Sequence, residues 1–292
     1  MCRFICYSGS PIMLADLLYR PGHSLILQSY QSMERREPLN GDGFGIGWYQ
    51  PEISDMPCVF TSLTPAWSNR NLQRLSDHVK SPCFFAHVRA ASPGMQVADA
   101  NCHPFQFGRY LWMHNGTVEG FTRIKRRVQQ SLPDDLFQVI QGTTDSEHAF
   151  AVFLNLLGNS ERIAPANELG QLLVRTVENL EQWVFEADVD GPSYYNFAVT
   201  DGQSIAAIRY VSDQRLEPAS LYYVKSRKFS YSGGASSLIE ANEDPAVIIA
   251  SERLTEQKDD WVRVAPNHVL TVTAGLEVEV ELVGVQRRSH EP

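Results

Sequence analysis

The chain has little of what several large protein classes require. No run approaches the roughly 18 uninterrupted apolar residues of a membrane span. Near its start, Arg3, Ser8, Gly9, Ser10, Pro11 and Asp16 interrupt any secretory apolar core. Residue 2 is Cys rather than Gly, so the myristoylation signal is missing. Positive charge is scarce, with 25 Lys and Arg against 34 Asp and Glu and a formal net charge of −9. Nucleic-acid binders neutralise phosphates with clustered cations, so that class is set aside. The one basic run, Arg123, Lys125, Arg126 and Arg127, reads as a solvated helix face. The 5 cysteines are an odd number without metal-knuckle spacing, which argues against a disulfide framework or a zinc site. A Gly-x-Ser-x-Gly elbow, a P-loop and a His-Glu-x-x-His helix are all missing. These absences predict a reduced, cytoplasmic protein without metal or cofactor, and without nucleic-acid or membrane partners.

What is there suffices for a large core, since 43% of the 292 residues are apolar. The length alone allows two domains at roughly 150 residues each. No linker, repeat or low-complexity tract divides the chain, however. Its pattern of strands, two long helices and further strands predicts one α+β domain over residues 1–292 with layered sheets. Ser10-Pro11 has the form of a helix start and predicts a short helix over 10–19. Gly41, Gly43, Gly45 and Gly47 alternate with Phe44, Ile46 and Trp48, as on a strand over 40–49 with one bare face. Such a face means close approach, either of another sheet or of a ligand. Strands are predicted at 83–88 and 110–113, and a hairpin at 196–210 around Asp201-Gly202. Thr144-Asp145-Ser146-Glu147 has capping-box form ahead of an amphipathic helix carrying Ala149, Val152, Phe153, Leu156 and Leu157. A second long helix carries Leu169, Leu172, Leu173, Val177, Leu180 and Val184. Residues 50–65 and 92–101 read as loops.

Five places carry residues suited to chemistry. Cys2 becomes the first residue once the initiator methionine is removed, as is usual before a small residue. It then combines a thiol nucleophile with an α-amine of pKa about 7.7–8.0, a base close to working pH. The plainer reading is a small residue in a frayed terminus. Arg89 follows an apolar strand, where a planar bidentate donor suits a carboxylate or, more plainly, a structural ion pair. Asn115-Gly116 is either a tight hairpin turn or a pair of oxyanion donors, the Asn115 amide and the Gly116 N–H. Asp145 sits at a helix start, where it either caps the helix or holds a substrate ammonium. His87, His103 and His148 read as structural, and Cys102 beside His103 as no working dyad.

Together, Met1-Cys2-Arg3-Phe4, Asn40-Gly41-Asp42-Gly43-Phe44-Gly45, His87-Val88-Arg89-Ala90, His114-Asn115-Gly116 and Thr144-Asp145-Ser146-Glu147 resemble the class II glutamine amidotransferases. These are N-terminal-nucleophile (Ntn) hydrolases. The match runs through five motifs, in family order, over about the first 155 residues. The resemblance implies a single-domain four-layer αββα sandwich. It implies that Cys2 is the catalytic nucleophile, that Asn115 and Gly116 form the oxyanion hole, and that Arg89 and Asp145 bind the two ends of a glutamyl group. Ser92 and His114 are implied as further substrate-binding residues.

Pro21-Gly22-His23-Ser24-Leu25, Arg36-Glu37-Pro38-Leu39-Asn40-Gly41-Asp42-Gly43, Leu63-Thr64-Pro65-Ala66-Trp67 and Asn101-Cys102-His103-Pro104-Phe105 resemble one stand-alone branch of that family. Its members are γ-glutamyl amidohydrolases of cytosolic glutathione degradation and of ergothioneine biosynthesis. The expected substrate is therefore a small γ-glutamyl amide, with glutathione-type molecules first. A metallopeptidase-like partner is implied for the glutathione branch. The alternatives are a glutaminase subunit that feeds ammonia to a separate synthase, and a silent γ-glutamyl-binding module that lacks a working nucleophile.

Overall fold

In the first strand, Phe4 and Cys6 join one apolar cluster while Ile5 and Tyr7 join another. That is the two-residue period of a strand with both faces covered. The computed structural model describes residues 2–34, 39–91, 97–225, 227–232, 235–240 and 245–285, with 227–232 and 235–240 described by backbone alone. Its strands in chain order are β1 (Arg3–Met13), β2 (Phe44–Gln50), β3 (Ser54–Ser62), β4 (Lys80–Val88), β5 (Phe105–Phe107), β6 (Tyr110–Thr117), β7 (Tyr194–Thr200) and β8 (Ile205–Val211). There follow β9 (Tyr222–Lys225), β10 (Arg227–Ser232), β11 (Ala235–Glu240), β12 (Ala246–Ala250), β13 (Val262–Arg263), β14 (His268–Val272) and β15 (Val278–Leu282). One sheet has the order β13-β9-β12-β1-β4-β2-β3, a second has the order β15-β14-β8-β7-β6-β5, and β10 and β11 form a separate hairpin.

The two large sheets face each other across a dry layer that includes Phe4, Cys6, Phe85, Leu111, Met113 and Ala198. On the outer face of the six-stranded sheet lie α4 (Phe121–Gln130), α6 (Asp145–Leu157) and α7 (Ala166–Glu186). On the outer face of the seven-stranded sheet lie α1 (Ala15–Leu18), α2 (Leu25–Gln28) and α3 (Arg70–Ser76). The remaining short helix is α5 (Asp134–Phe137). The order helix, sheet, sheet, helix is the predicted αββα sandwich. Among the described residues, no helix is long and apolar enough to cross a membrane.

Two local expectations are corrected and one of two alternatives is excluded. Residues 10–13 stay in β1, where Ile12 pairs with Ser81 and Met13 with Lys80, and the helix begins only at Ala15. Pro11 is tolerated because the register of β1 shifts between Ser8 and Ile12, an irregularity at which no N–H is needed. Residues 54–62, within the segment read as a loop, form the edge strand β3. Asn115-Gly116 is not a turn but lies within β6, opposite Asn196 and Tyr195 of β7.

The glycine strand begins at Phe44, so Gly41 and Gly43 precede it. Its bare face is turned to the other sheet. A Cβ on Gly45 would lie 2.2 Å from the His103 carbonyl oxygen, and one on Gly47 would lie 2.8 Å from a Leu111 methyl group. Close sheet packing therefore explains these two glycines.

The buried histidines His87, His103, His114 and His148 are expected to make the fold acid-sensitive. Burial lowers the pKa of His87 to about 3 and of His148 to about 4, and it lowers His103 and His114 as well. A histidine whose pKa is depressed by folding contributes stability above its unfolded pKa, and that contribution fades as pH falls through the interval between the two values. As pH falls below 6.5, urea unfolding should show stability falling by up to about 1.4 kcal/mol per pH unit for each histidine. His103→Phe should make the decline shallower, and an unchanged slope would remove His103 from the effect.

Candidate active site

Alternation within the strands brings three of the sequence-predicted residues, Cys2, Arg89 and Asn115, to one end of the inter-sheet layer. Cys2 follows Cys6 and Phe4 in parity, so it sits on the inter-sheet side of the chain. Arg3 pairs with Val88, which places Cys2 beside Arg89 just beyond the end of β4. Arg89 shares the parity of Phe85 and His87, and Asn115 that of Leu111 and Met113, so both belong to the same side. Across the interface, β1 and β4 both contact β6. His87 Nε2 lies 3.3 Å from the His114 carbonyl oxygen, and because a carbonyl only accepts, this nitrogen carries the proton. That bond ties the sheet bearing Cys2 to the sheet bearing Asn115.

The Cys2 thiol is part-buried and lies 3.7 Å from the Ala90 carbonyl oxygen. Burial raises its pKa, against the lowering effect of the Ala90 contact and of the Arg89 and Arg3 charges. A thiol in that state is mostly protonated near neutrality and needs a base to attack.

The segment beneath it is held by Asp42. Asp42 N donates to the Arg89 carbonyl at 3.1 Å, Arg89 N donates to the Gly43 carbonyl at 2.9 Å, and Ala91 N donates to the Asp42 carboxylate at 2.8 Å. Gly43 allows this turn with φ +114, a conformation that favours glycine, and a Cβ there would lie 2.8 Å from Cys102 Sγ. The Arg89 guanidinium, 4% exposed, also donates to the Asp42 carbonyl at 3.3 Å. Sequence reasoning gave Asp42 no individual role. Its signal was the Asn-Gly-Asp-Gly run itself, in which a short carboxylate between glycines caps neighbouring N–H groups.

Asn115 is 2% exposed, yet among the described residues its side chain makes no hydrogen bond, and its Oδ1 is buried. In an antiparallel ladder the N–H and C=O of one residue point to the same side, and successive residues alternate. The His114 carbonyl faces His87, away from β7, so the Gly116 N–H points to that same side. Among the described residues β5 pairs only with residues 110–112, and no described strand pairs with this edge of β6 beyond them. Among the described residues the Asn115 amide is thus uncommitted, and the Gly116 N–H beside it points away from the β7 ladder.

His114 and Asp145 lie on the helix side of β6. His114 Nδ1 is 2.9 Å from Ser146 Oγ, and its Nε2 is 3.1 Å from the Tyr194 carbonyl oxygen, so both ring nitrogens are engaged by protein. Asp145, 5% exposed, accepts from Ser146 N and Val118 N, each at 2.8 Å. These bonds fix its carboxylate to the end of β6. Thr144 caps α6 by accepting from Glu147 N at 3.2 Å, while the Glu147 carboxylate turns back to Gln141 N and Gly142 N rather than closing the capping box. A Cβ on Gly116 would lie 2.0 Å from the Tyr194 oxygen and 2.6 Å from His114 Nε2. Ser92 lies outside the described residues.

Cys102 and His103 share no hydrogen bond among the described residues. Burial pushes the Cys102 thiol up to about 11, and the His103 ring stacks on His87 at 4.3 Å. A further group escaped the sequence reading altogether. Arg3 meets Glu252 in a buried ion pair at 2.6 Å, with His23 and Ser32 on the same carboxylate. Only the strand-ending Ser251-Glu252 could have signalled it, because nothing local pairs residues 3 and 252.

Comparison with known proteins gives a consistent picture. Residues 21–291 match the family described as Glutamine amidotransferases class-II. The chain is 39% identical over 297 residues to the probable glutamine amidotransferase DUG3 of Saccharomyces cerevisiae, covering 93% of this chain and 82% of that protein. Over 120 residues it is 33% identical to the gamma-glutamyl-hercynylcysteine sulfoxide hydrolase of Mycolicibacterium smegmatis, covering 41% of this chain and 52% of the other. Among solved structures, a glutamine aminotransferase class-II domain protein from Silicibacter pomeroyi superposes with a TM-score of 0.68 at 25% identity, covering 98% of this chain and all of that one (100%). The glutamine phosphoribosylpyrophosphate amidotransferase of B. subtilis shares the fold, with a TM-score of 0.61 at 15% identity over 98% of this chain and 50% of that one.

Proposed function

The chain belongs to the class II glutamine amidotransferases, and from that premise we propose that it hydrolyses γ-glutamyl amides, with water as acceptor, through a glutamyl thioester on Cys2. The observation that carries this reading is the convergence of Cys2, Arg89 and the uncommitted Asn115 amide, with the Gly116 N–H beside it, at one end of the inter-sheet layer. The free α-amine of the processed Cys2 takes the thiol proton through a water. The sulfur attacks the γ-carbonyl carbon, and the oxyanion forms against Asn115 Nδ2 and Gly116 N–H. When the C–N bond breaks, the leaving amine takes its proton from the terminal ammonium. Water, deprotonated by the same amine, cleaves the thioester and releases glutamate.

Arg89 holds the α-carboxylate and Asp145 the α-ammonium, each already oriented by backbone bonds. His114 acts behind Asp145, because its ring nitrogens are spent on Ser146 and Tyr194. Glutathione-type substrates rank ahead of glutamine, supported by similarity to a hydrolase named for a γ-glutamyl sulfoxide conjugate.

The test is glutamate release from glutathione and from glutamine by methionine-processed protein, with processing read by intact mass. Preference for glutathione is expected. Ammonia release from glutamine that rises on adding a synthase subunit would replace this reading with the glutaminase one.

A further inference from the structure

We propose that Glu252, acting through Arg3, is a positioning residue that holds Cys2 in its reactive orientation. The proposal rests on the reading of Cys2 as nucleophile. A nucleophile that, once Met1 is removed, opens the chain just ahead of β1 has covalent support on one side only, and chain ends fray unless tied down. Arg3 supplies the missing tie. Its side chain leaves the opposite face of the chain from Cys2, yet its Nη1 returns to donate to the Cys2 carbonyl at 3.1 Å. Nη2 donates to Ser32 Oγ at 2.8 Å, and Nε to Glu252 Oε1 at 2.6 Å.

Glu252 is 1% exposed and is itself fixed from several directions. Ser32 Oγ donates to Oε1 at 2.7 Å, while His23 Nε2 at 2.9 Å and Met33 N at 3.0 Å meet Oε2. The residue before it closes the frame, because Ser251 N donates to the Phe4 carbonyl at 3.0 Å and Phe4 N donates to Ser251 Oγ at 3.0 Å. Burial alone would raise the Glu252 carboxyl, but the bonds from His23 and Ser32, the Arg3 charge and the Met33 N–H bring it down to about 2. It is an anion throughout the working range.

A buried ion pair is a poor device for stability, since well-packed apolar residues of similar volume do as well or better. What this pair offers instead is direction, because a planar guanidinium held by carboxylate and hydroxyl presents one N–H to one carbonyl. It also balances charge beside the nucleophile. Besides the charge of the chain terminus, Arg89 and Arg3 lower the Cys2 pKa, and Glu252 is ion-paired with Arg3.

Three proteins test this: the wild type, Glu252→Gln and Ser32→Ala. Each is assayed for kcat and KM on glutathione and for the pH dependence of Cys2 alkylation by iodoacetamide, located by peptide mass. In Glu252→Gln, kcat should fall about 10- to 100-fold, the scale of a small misplacement. KM should stay within about threefold, because Arg89 and Asp145 are untouched. The alkylation midpoint should move to lower pH, since removing one negative charge beside Arg3 favours thiolate and disfavours ammonium. Ser32→Ala, which keeps the ion pair, should lower kcat in the same direction by less. Unchanged kcat and alkylation in both variants, with only a lower Tm, would overturn the proposal. Should Glu252→Gln fail to fold, an unchanged Ser32→Ala would overturn it alone. Wild-type protein that releases no glutamate sinks the γ-glutamyl reading instead, and the alkylation profiles still decide the positioning role.

Discussion

Cys2→Ala is expected to lose glutamate release by at least about 10⁴-fold, the scale on which removal of a covalent nucleophile acts. The loss should be purely chemical. The thiol's one described hydrogen bond is the long 3.7 Å approach to the Ala90 carbonyl, so alanine removes little polar stabilisation. Arg89 and Asp145, the proposed glutamyl clamps, remain, and the variant should still bind glutamate, which calorimetry can read. Cys2→Ser keeps the shape and the amine but offers a far weaker nucleophile, and it should sit close to the alanine variant. Because burial raises the thiol's pKa, the wild-type rate should climb with pH as the α-amine loses its proton. A Cys2→Ala protein that turns over glutathione at the wild-type rate ends the thioester mechanism.

The second large effect belongs to Asn115. Asn115→Ala should lower kcat by about 10²–10³, the typical consequence of losing one oxyanion donor. KM should change little, because the donor acts on charge that develops only in the transition state. The structure makes this experiment unusually clean. The Asn115 side chain is buried but hydrogen-bonds to nothing among the described residues, so its removal leaves no broken partner. Thermal melting should therefore move far less than activity. Gly116→Ala is the instructive contrast, since its Cβ would meet the Tyr194 oxygen at 2.0 Å and disturb β6 and β7 together. An Asn115→Ala rate within a few-fold of wild type removes that side chain from the mechanism.

Much of this arrangement is legible in the sequence because it is local. Ala149, Val152 and Phe153 carry the helix period of α6, with the Thr144 cap ahead of them. The hairpin of β7 and β8 turns at Asp201, whose carboxylate accepts from Gln203 N and Ser204 N as a turn aspartate should. The motif segments name Cys2, Arg89, Asn115, Gly116 and Asp145 for the same reason. Each lies in a short stretch whose residue types suit one step of chemistry.

Only the tertiary structure decided the rest, and in each case a distant partner outweighed the local signal. Ser10-Pro11 has the form of a helix start, but pairing with Lys80 and Ser81 keeps that stretch extended. Asn115-Gly116 has turn chemistry, but β7 supplies a ladder and draws both residues into a strand. β3 is an edge strand with much of one end in solvent, so it shows no clean alternation to read. The glycine face admitted either a ligand or a sheet until His103 and Leu111 were seen against it. Glu252 is the extreme case, 249 residues from the arginine it holds. Periodicity and motif spacing report what neighbours in the chain do. Which charge is balanced, and which carbonyl is clamped, depends on residues that meet only after the sheets have closed.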